Sequence, residues 1–300
     1  MKYPGYLNIT KNELRKRIKE LENMLESCTL CPRNCKVNRL KGERGFCSLG
    51  FLPMVSSYCP HFGEESVLLG IYGSGTIFFT SCNLSCVYCQ NYEISQLRIG
   101  NEIDFKSLAN MMLELQNMGC HNINLVTPSH QVYAILRALE IAIANGLKIP
   151  IVYNTSSYDS VETLKLLGGI VDIYMPDIKY GSNENALKYS NARNYFDIAK
   201  AAVKEMHSQV GDLIIESGLA KRGLLVRHLV LPNNLAGSEE VIKFLATISK
   251  NTFVNIMDQY YPCYKAFNYP ELARKITKEE YEKVIELARK YGLKRITKNR

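Results

Sequence analysis

"GSGTIFFTSCNLSCVYCQN", residues 73–91, joins a glycine-led apolar run to three cysteines, Cys82, Cys86 and Cys89. The β-branched and aromatic residues of "TIFFT" (76–80) predict a buried strand, and the thiols follow where the chain leaves it. This strand-then-loop reading decides the fold because the pattern recurs downstream. Further β-rich runs are "NINLVT" (122–127), "IPIVYN" (149–154), "VDIYMPDI" (171–178), "LLVRHLVL" (224–231) and "TFVNIM" (252–257). Between the first two, "FKSLANMMLELQNMG" sets Phe105, Leu108, Met112 and Leu115 on one helical face, with Gly119 as its stop. "QVYAILRALEIAIANG" does the same before the third run. Apolar strands alternating with helices predict an α/β fold whose parallel sheet is covered on both faces. Six such units are too few for an eightfold barrel and predict a partial (βα)6 barrel, with an open doubly wound sheet as the competing topology. Either way, ligand chemistry belongs at the carboxyl ends of the strands.

Upstream, "TKNELRKRIKELENMLES" opens with a capping-box pattern, Thr10 to Glu13, and spaces Leu14, Ile18, Leu21 and Leu25 as a helix. It leads into "CTLCPRNCKVNRLKGERGFC", where Cys28, Cys31, Cys35 and Cys47 fall within 20 residues. Four thiols so placed match a closed site, either zinc or iron–sulfur. The expected division is a helix and cysteine-rich metal-binding lobe over 1–69, the partial barrel over 70–265, and a helical extension over 266–300.

At 300 residues and 46% hydrophobic composition, the chain can bury a substantial core. Its start has no signal-peptide character, and no run of about 18 uncharged apolar residues occurs, so a cytoplasmic, non-membrane protein is expected. Ten cysteines in such a setting point to metal binding and away from a disulfide framework. The net charge of +8 permits an acidic partner. The basic residues are dispersed, apart from the tail "LKRITKNR", and no basic run carries interleaved aromatics, which reads as solvated surface and against nucleic acid.

Thiolates are the ligands of iron–sulfur clusters, and the tight Cys82–Cys89 loop can wrap one 4Fe-4S cube. Three cysteines leave one iron open, as substrate binding at a metal requires. A structural zinc site would need a fourth ligand from upstream, Cys59 or His61, and that alternative stays open at this point.

The spacing C-x-x-x-C-x-x-C, here "CNLSCVYC", resembles the radical S-adenosylmethionine (SAM) superfamily. The resemblance implies that the methionyl amine and carboxylate of SAM chelate the open iron. One electron then cleaves the sulfonium to a 5′-deoxyadenosyl radical that abstracts hydrogen from a substrate. It also implies that Tyr88 lies near the adenine. "VDIYMPDIKY" resembles the D-x-K segment of glycyl-radical activating enzymes, implicating Asp177 and Lys179 in cofactor binding. "VYNTSSYD" resembles the segment that meets the ribose, implicating Asn154 and Ser156, and "LLVRHLVLPN" resembles the strand that carries Arg227. Because neighbours on a strand face opposite ways, His228 is expected to be a satisfied core histidine.

Two departures stand out. Activating enzymes have G-G-E after the second strand, whereas this chain has "TPSH", leaving Thr127 and Ser129 as polar candidates without the Glu charge. Gln259 and Tyr260 stand where those enzymes often carry a Tyr-His pair. With "HFGEE", which offers His61 and Glu64, residues 28–265 resemble a branch related to pyruvate formate-lyase activating enzyme. The implied function is an anaerobic oxidoreductase acting on a glycyl residue of a partner protein, with a flavodoxin- or ferredoxin-like electron donor. Modification of another peptide, a metabolite or RNA, and a non-catalytic metal-binding scaffold, are the alternatives.

Overall fold

The computed structural model describes residues 2–298; Met1 and residues 299–300, the outer ends of the first and last expected segments and of the basic tail, lie outside them. The strands are β1 (Met54–His61), β2 (Ser74–Phe79), β3 (Asn101–Glu102), β4 (Ile123–Val126), β5 (Ile151–Thr155), β6 (Ile173–Pro176), β7 (Ile214–Glu216), β8 (Leu219–Leu229), β9 (Phe253–Met257) and β10 (Arg295–Lys298). The helices are α1 (Lys11–Glu26), α2 (Ser66–Leu69), α3 (Tyr92–Ser95), α4 (Phe105–Asn117), α5 (Val132–Ala144), α6 (Val161–Lys165), α7 (Asn183–Ser190), α8 (Tyr195–Val210), α9 (Ser238–Ile248) and α10 (Lys278–Lys290).

All six expected strands are present, and they lie side by side in chain order: β2, β4, β5, β6, β8, β9. Each pairs with its neighbour in parallel. An open doubly wound sheet would reverse its strand order at a switch point. This order never reverses, so right-handed crossovers place the helices on one face and the sheet curls into a partial barrel.

Side-chain alternation confirms the two faces. Ile77, Leu125, Tyr153, Tyr174, Val226 and Ile256 join the helix-side core. Their alternates Val152, Ile173, Met175, Leu225 and Phe253 form an inner cluster capped by Leu68 of α2. His228 falls on the helix side, fully buried; its ring sits 2.7 Å from the Ile178 carbonyl through Nδ1 and 2.9 Å from Ser238 Oγ through Nε2. It is the satisfied core histidine that the strand alternation predicts.

Four strands go beyond the expected six: β7 forms an antiparallel pair with β8, and the other three shape the ends of the sheet. β1 runs antiparallel to β2, with His61 opposite Ser74, which delivers residues 62–65 to the amino end of the barrel. The two-residue β3 pairs with β1. The segment expected to be only helical carries α10 and then β10, a seventh parallel strand against β9. In the basic tail, β-branched Ile296 and Thr297 let it pair.

The α1 helix forms as its sequence predicts. Thr10 Oγ1 accepts from the Glu13 amide at 3.2 Å, and the Glu13 carboxylate takes a 2.9 Å hydrogen bond from Arg17 Nε. Leu14, Ile18, Leu21 and Leu25 are buried, and α1 packs on α5.

Candidate active site

The loop after β2 turns sharply at Ser81, whose φ is +66°. It is pinned from outside: the Ser85 amide donates to the Ser190 carbonyl at 3.0 Å, the Val87 amide to the Tyr189 carbonyl at 2.8 Å, and the Lys265 amide to the Val87 carbonyl at 2.9 Å. The thiols receive further contacts. Leu84 N–H donates to Cys82 Sγ at 3.3 Å, Ser190 Oγ donates to Cys86 Sγ at 3.0 Å, and Ser95 Oγ lies 3.1 Å from Cys89 Sγ. Burial pushes the Cys82 thiol up to about 12, with Cys86 adding to the effect. Burial likewise lifts Cys86 to about 11, against the opposing charge of Lys179. These thiols ionise only with a positive partner, such as the iron of a cluster.

Cys82, Cys86, Cys89 and Tyr88 line a cleft of about 460 Å³ together with Thr127, Asn154, Ser156, Asp177, Lys179 and Arg227. Strand register produces this convergence, since Asp177 and Arg227 sit opposite one another on the β6 and β8 lines. Asp177 accepts from Lys179 Nζ at 2.8 Å and from Arg227 Nε at 2.7 Å. Arg227 Nη2 donates to Asn154 Oδ1 at 2.7 Å. Burial alone would raise the Asp177 carboxyl, but Arg227 and Lys179 outweigh it and hold the group at about 2. Asp177 and Lys179 lie just beyond the end of β6 and already grip each other, so seating a zwitterion means opening that pair.

Ser156 Oγ is buried in this cleft with no partner among the described residues, a polar atom that a ligand hydroxyl or ring nitrogen would satisfy. Ser129 departs from the expectation. It is 2% exposed and lies 3.1 Å from Thr155 Oγ1, in a network running to Asp159, behind the cleft wall. Tyr88 is buried among Tyr180 and Tyr260, with ring centroids 6.3 and 5.8 Å away. Gln259 lines the cleft, whereas Tyr260 is buried and donates to the Leu272 carbonyl.

The deep end of the cleft is closed by the loop after β1. His61 and Glu64 both reach it. Glu64 accepts from Arg227 Nη1 at 3.1 Å and from Asn124 Nδ2 at 2.9 Å. Burial raises the Glu64 carboxyl despite Arg227. The site therefore contains a carboxylate even though the loop after β4 carries none. Beside it, Asn255 Nδ2 donates to Glu65 Oε1 at 2.8 Å. Sequence reading passed over Glu65, Asn124, Asn255, Tyr180, Ser190 and Ser95; polar residues at inward strand positions, such as Asn124 and Asn255, were the available signal.

Cys28, Cys31, Cys35 and Cys47 also converge, lining a second cavity with Arg33, Arg39 and His130. A side chain at Gly45 would meet Cys35 Cβ at 2.7 Å and Sγ at 2.8 Å, so only glycine lets the returning loop approach. Phe46 N–H donates to Cys35 Sγ at 3.4 Å. This cavity is about 10 Å³, room for roughly one water-sized atom. Yet no group of three or more His, Cys, Asp or Glu side chains among the described residues is arranged to hold one metal ion. The metal reading of both cysteine groups rests on their spacing and on the cavities they share.

The sequence profile of the Radical SAM superfamily matches residues 76–245, the span from β2 through α9 that builds this cleft. The chain belongs to the radical SAM superfamily. It is 36% identical over 294 residues, 95% of its length, to uncharacterized protein MJ0674 of Methanocaldococcus jannaschii, and spans 81% of that relative. Among solved radical SAM folds, it resembles a radical SAM methyltransferase from Sphaerobacter thermophilus (TM-score 0.53, 15% identity), with 75% of this chain covering 66% of that one. HydG, a maturase of the [FeFe]-hydrogenase, aligns with 98% of this chain and 59% of its own (TM-score 0.50, 12% identity). These two share the fold. The radical SAM family implies a 4Fe-4S cluster, SAM and a reductant, and the buried thiols and the charged cleft beside them fit that pair. No helix among the described residues is long and apolar enough to cross a membrane.

Proposed function

We propose that this radical SAM enzyme acts as an activating enzyme, taking hydrogen from a glycyl residue of a partner protein. The observation that carries the reading is the Lys179–Asp177–Arg227–Asn154 network on the same cleft as Cys82, Cys86 and Cys89. When bound, the cluster and SAM supply one-electron cleavage of the sulfonium and a hydrogen-abstracting fragment. The protein's part is positional. Cys82, Cys86 and Cys89 hold the cluster. Asp177 and Lys179 present one negative and one positive group to a zwitterionic methionyl end, and Arg227 keeps Asp177 ionised. Asn154, Ser156 and Thr127 offer hydrogen bonds to the rest of the cofactor, and Tyr88 packs against it. With a partner segment covering the cleft, water would be kept from the reacting carbon.

The same reading includes a second metal centre, zinc or iron–sulfur, at Cys28, Cys31, Cys35 and Cys47. It also includes a flavodoxin- or ferredoxin-like donor and a cytoplasmic setting. Anaerobic reconstitution, a low-potential reductant and SAM should yield 5′-deoxyadenosine, and Cys86→Ala should abolish it. Deuterium carried from labelled glycine in a candidate partner into that product identifies the substrate class. Transfer from a free metabolite or RNA instead would overturn the glycyl assignment, and metal without SAM binding would mark a scaffold.

A further inference from the structure

Arg33 lies between the two cysteine groups. In sequence it belongs to the amino-terminal motif, midway between Cys31 and Cys35. In space its Nε donates a 2.6 Å hydrogen bond to the carbonyl of Asn83, the residue after Cys82. The guanidinium carbon stands 3.6 Å from the Phe46 ring centroid and 5.4 Å from that of Tyr158, contacts that hold the planar group in place. The same side chain lines the cavity of Cys28, Cys31, Cys35 and Cys47, so one fixed cation borders both motifs. Nη2 is buried without a hydrogen-bond partner among the described residues, so one arm of the fork is left unspent.

Arg39 makes the contrast. It is buried against the amino-terminal cavity, donates 2.8 Å hydrogen bonds to the carbonyls of Gly50 and His130, and acts on the Cys47 thiol. Arg39 is tied to one group, whereas Arg33 spans both.

We propose that Arg33 is a shared counter-charge, which sets the reduction potential of the centre at Cys82, Cys86 and Cys89 and stabilises the metal-bound thiolates of Cys31 and Cys35. The proposal rests on the reading of both groups as metal centres. A reduced cluster carries one more negative charge than an oxidised one, so a fixed cation beside it in a low-dielectric setting favours reduction. Arg33 is thus a positioning and tuning residue, two steps removed from the substrate.

The test is Arg33→Gln, with Arg33→Lys as the charge-preserving comparison, in the full reconstituted protein. An EPR-monitored redox titration should show a more negative midpoint for Arg33→Gln and a value nearer the parent for Arg33→Lys. Chelator competition should show roughly 10- to 100-fold weaker metal retention at the amino-terminal site, the range for losing a supporting contact. A parental midpoint and retention in Arg33→Gln would overturn the proposal. So would an equal shift in both variants, which would assign the effect to packing. Metal analysis of the unmutated protein separates the two levels: iron or amino-terminal metal missing there sinks the reading beneath, and this inference with it. Both metals present with an unresponsive Arg33→Gln sinks this inference alone.

Discussion

Asp177 shows how a single carboxylate can be both a stability element and a binding element. Its pKa is held at about 2, below the ordinary 3.8, so its contribution is complete above about pH 4 and drains away as pH falls towards 2. The shift corresponds to about 2 kcal/mol. His130 and His228 act in another window, because burial lowers both from 6.5 to about 4; their contribution is lost as pH falls from 6.5 towards 4. Denaturant titrations at a series of pH values should therefore show losses in both windows, the upper one offset in part by Asp172, whose carboxyl burial raises to about 6, and Asp177→Asn should reduce only the lower loss, to which Glu280 also contributes. At neutral pH that variant takes the carboxylate from Lys179 and leaves Arg227 with Glu64 alone, and should cost about 3–5 kcal/mol while weakening SAM binding. If SAM affinity is unchanged, as calorimetry would reveal, Asp177 serves the fold alone. At this scale the sequence was legible where residue type and spacing carry chemistry, as at Cys82, Asp177 and Arg227. It was less legible where a contact depends on a loop arriving from elsewhere: "HFGEE" offered Glu64, but not its neighbour Glu65, which meets Asn255 across 190 positions of chain. Ser129 sits one residue beyond Pro128, and the positive φ of Thr127, +61°, turns it away from the cleft.

Among the elements, the six parallel strands and the helices α1, α4 and α5 followed from periodicity, because burial on both faces leaves a continuous apolar run and helix packing leaves a stripe. β1 and β10, like the short β3 and β7, did not. "MVSSYCPH" is only half-buried along its length, and "RITK" at the sheet's margin is mostly charged, so neither has an apolar pattern to read. The α1 helix tests how an amphipathic face is used. Leu21 is fully buried in the cluster shared with Leu139 and Leu167, so Leu21→Ala should cost about 2–5 kcal/mol in chemical denaturation. A cost under about 1 kcal/mol would show that α1 is a detachable appendage.

The molecule as a whole has one continuous helix-side core. Tyr6, Leu14, Leu25 and Leu30 from the first 69 residues share it with Ile77 and Leu125 of the barrel and with Val284 and Ile285 of α10. The three segments expected from the sequence are therefore proposed to be regions of one cooperative unit. Far-ultraviolet circular dichroism and the near-ultraviolet signal of the 19 tyrosines, in a chain without tryptophan, should lose structure in a single coincident transition. Two separated transitions would restore the cysteine-rich lobe as an independent domain. The cysteines made that lobe look self-sufficient in the sequence; its apolar residues share the barrel's core, which is the ground for proposing a single unit.

The two margins of the sheet carry a consequence for solubility. At one side lies β3, only Asn101 and Glu102, both exposed. At the other lies β10, where Arg295 is tied by Nη1 to the Leu213 carbonyl at 2.6 Å. An unpaired strand invites a second chain to hydrogen-bond along it, and a short margin or a basic one refuses that invitation. A curled sheet that stops before closing on itself can thus keep its mouth open for a large partner without adhering to its own copies.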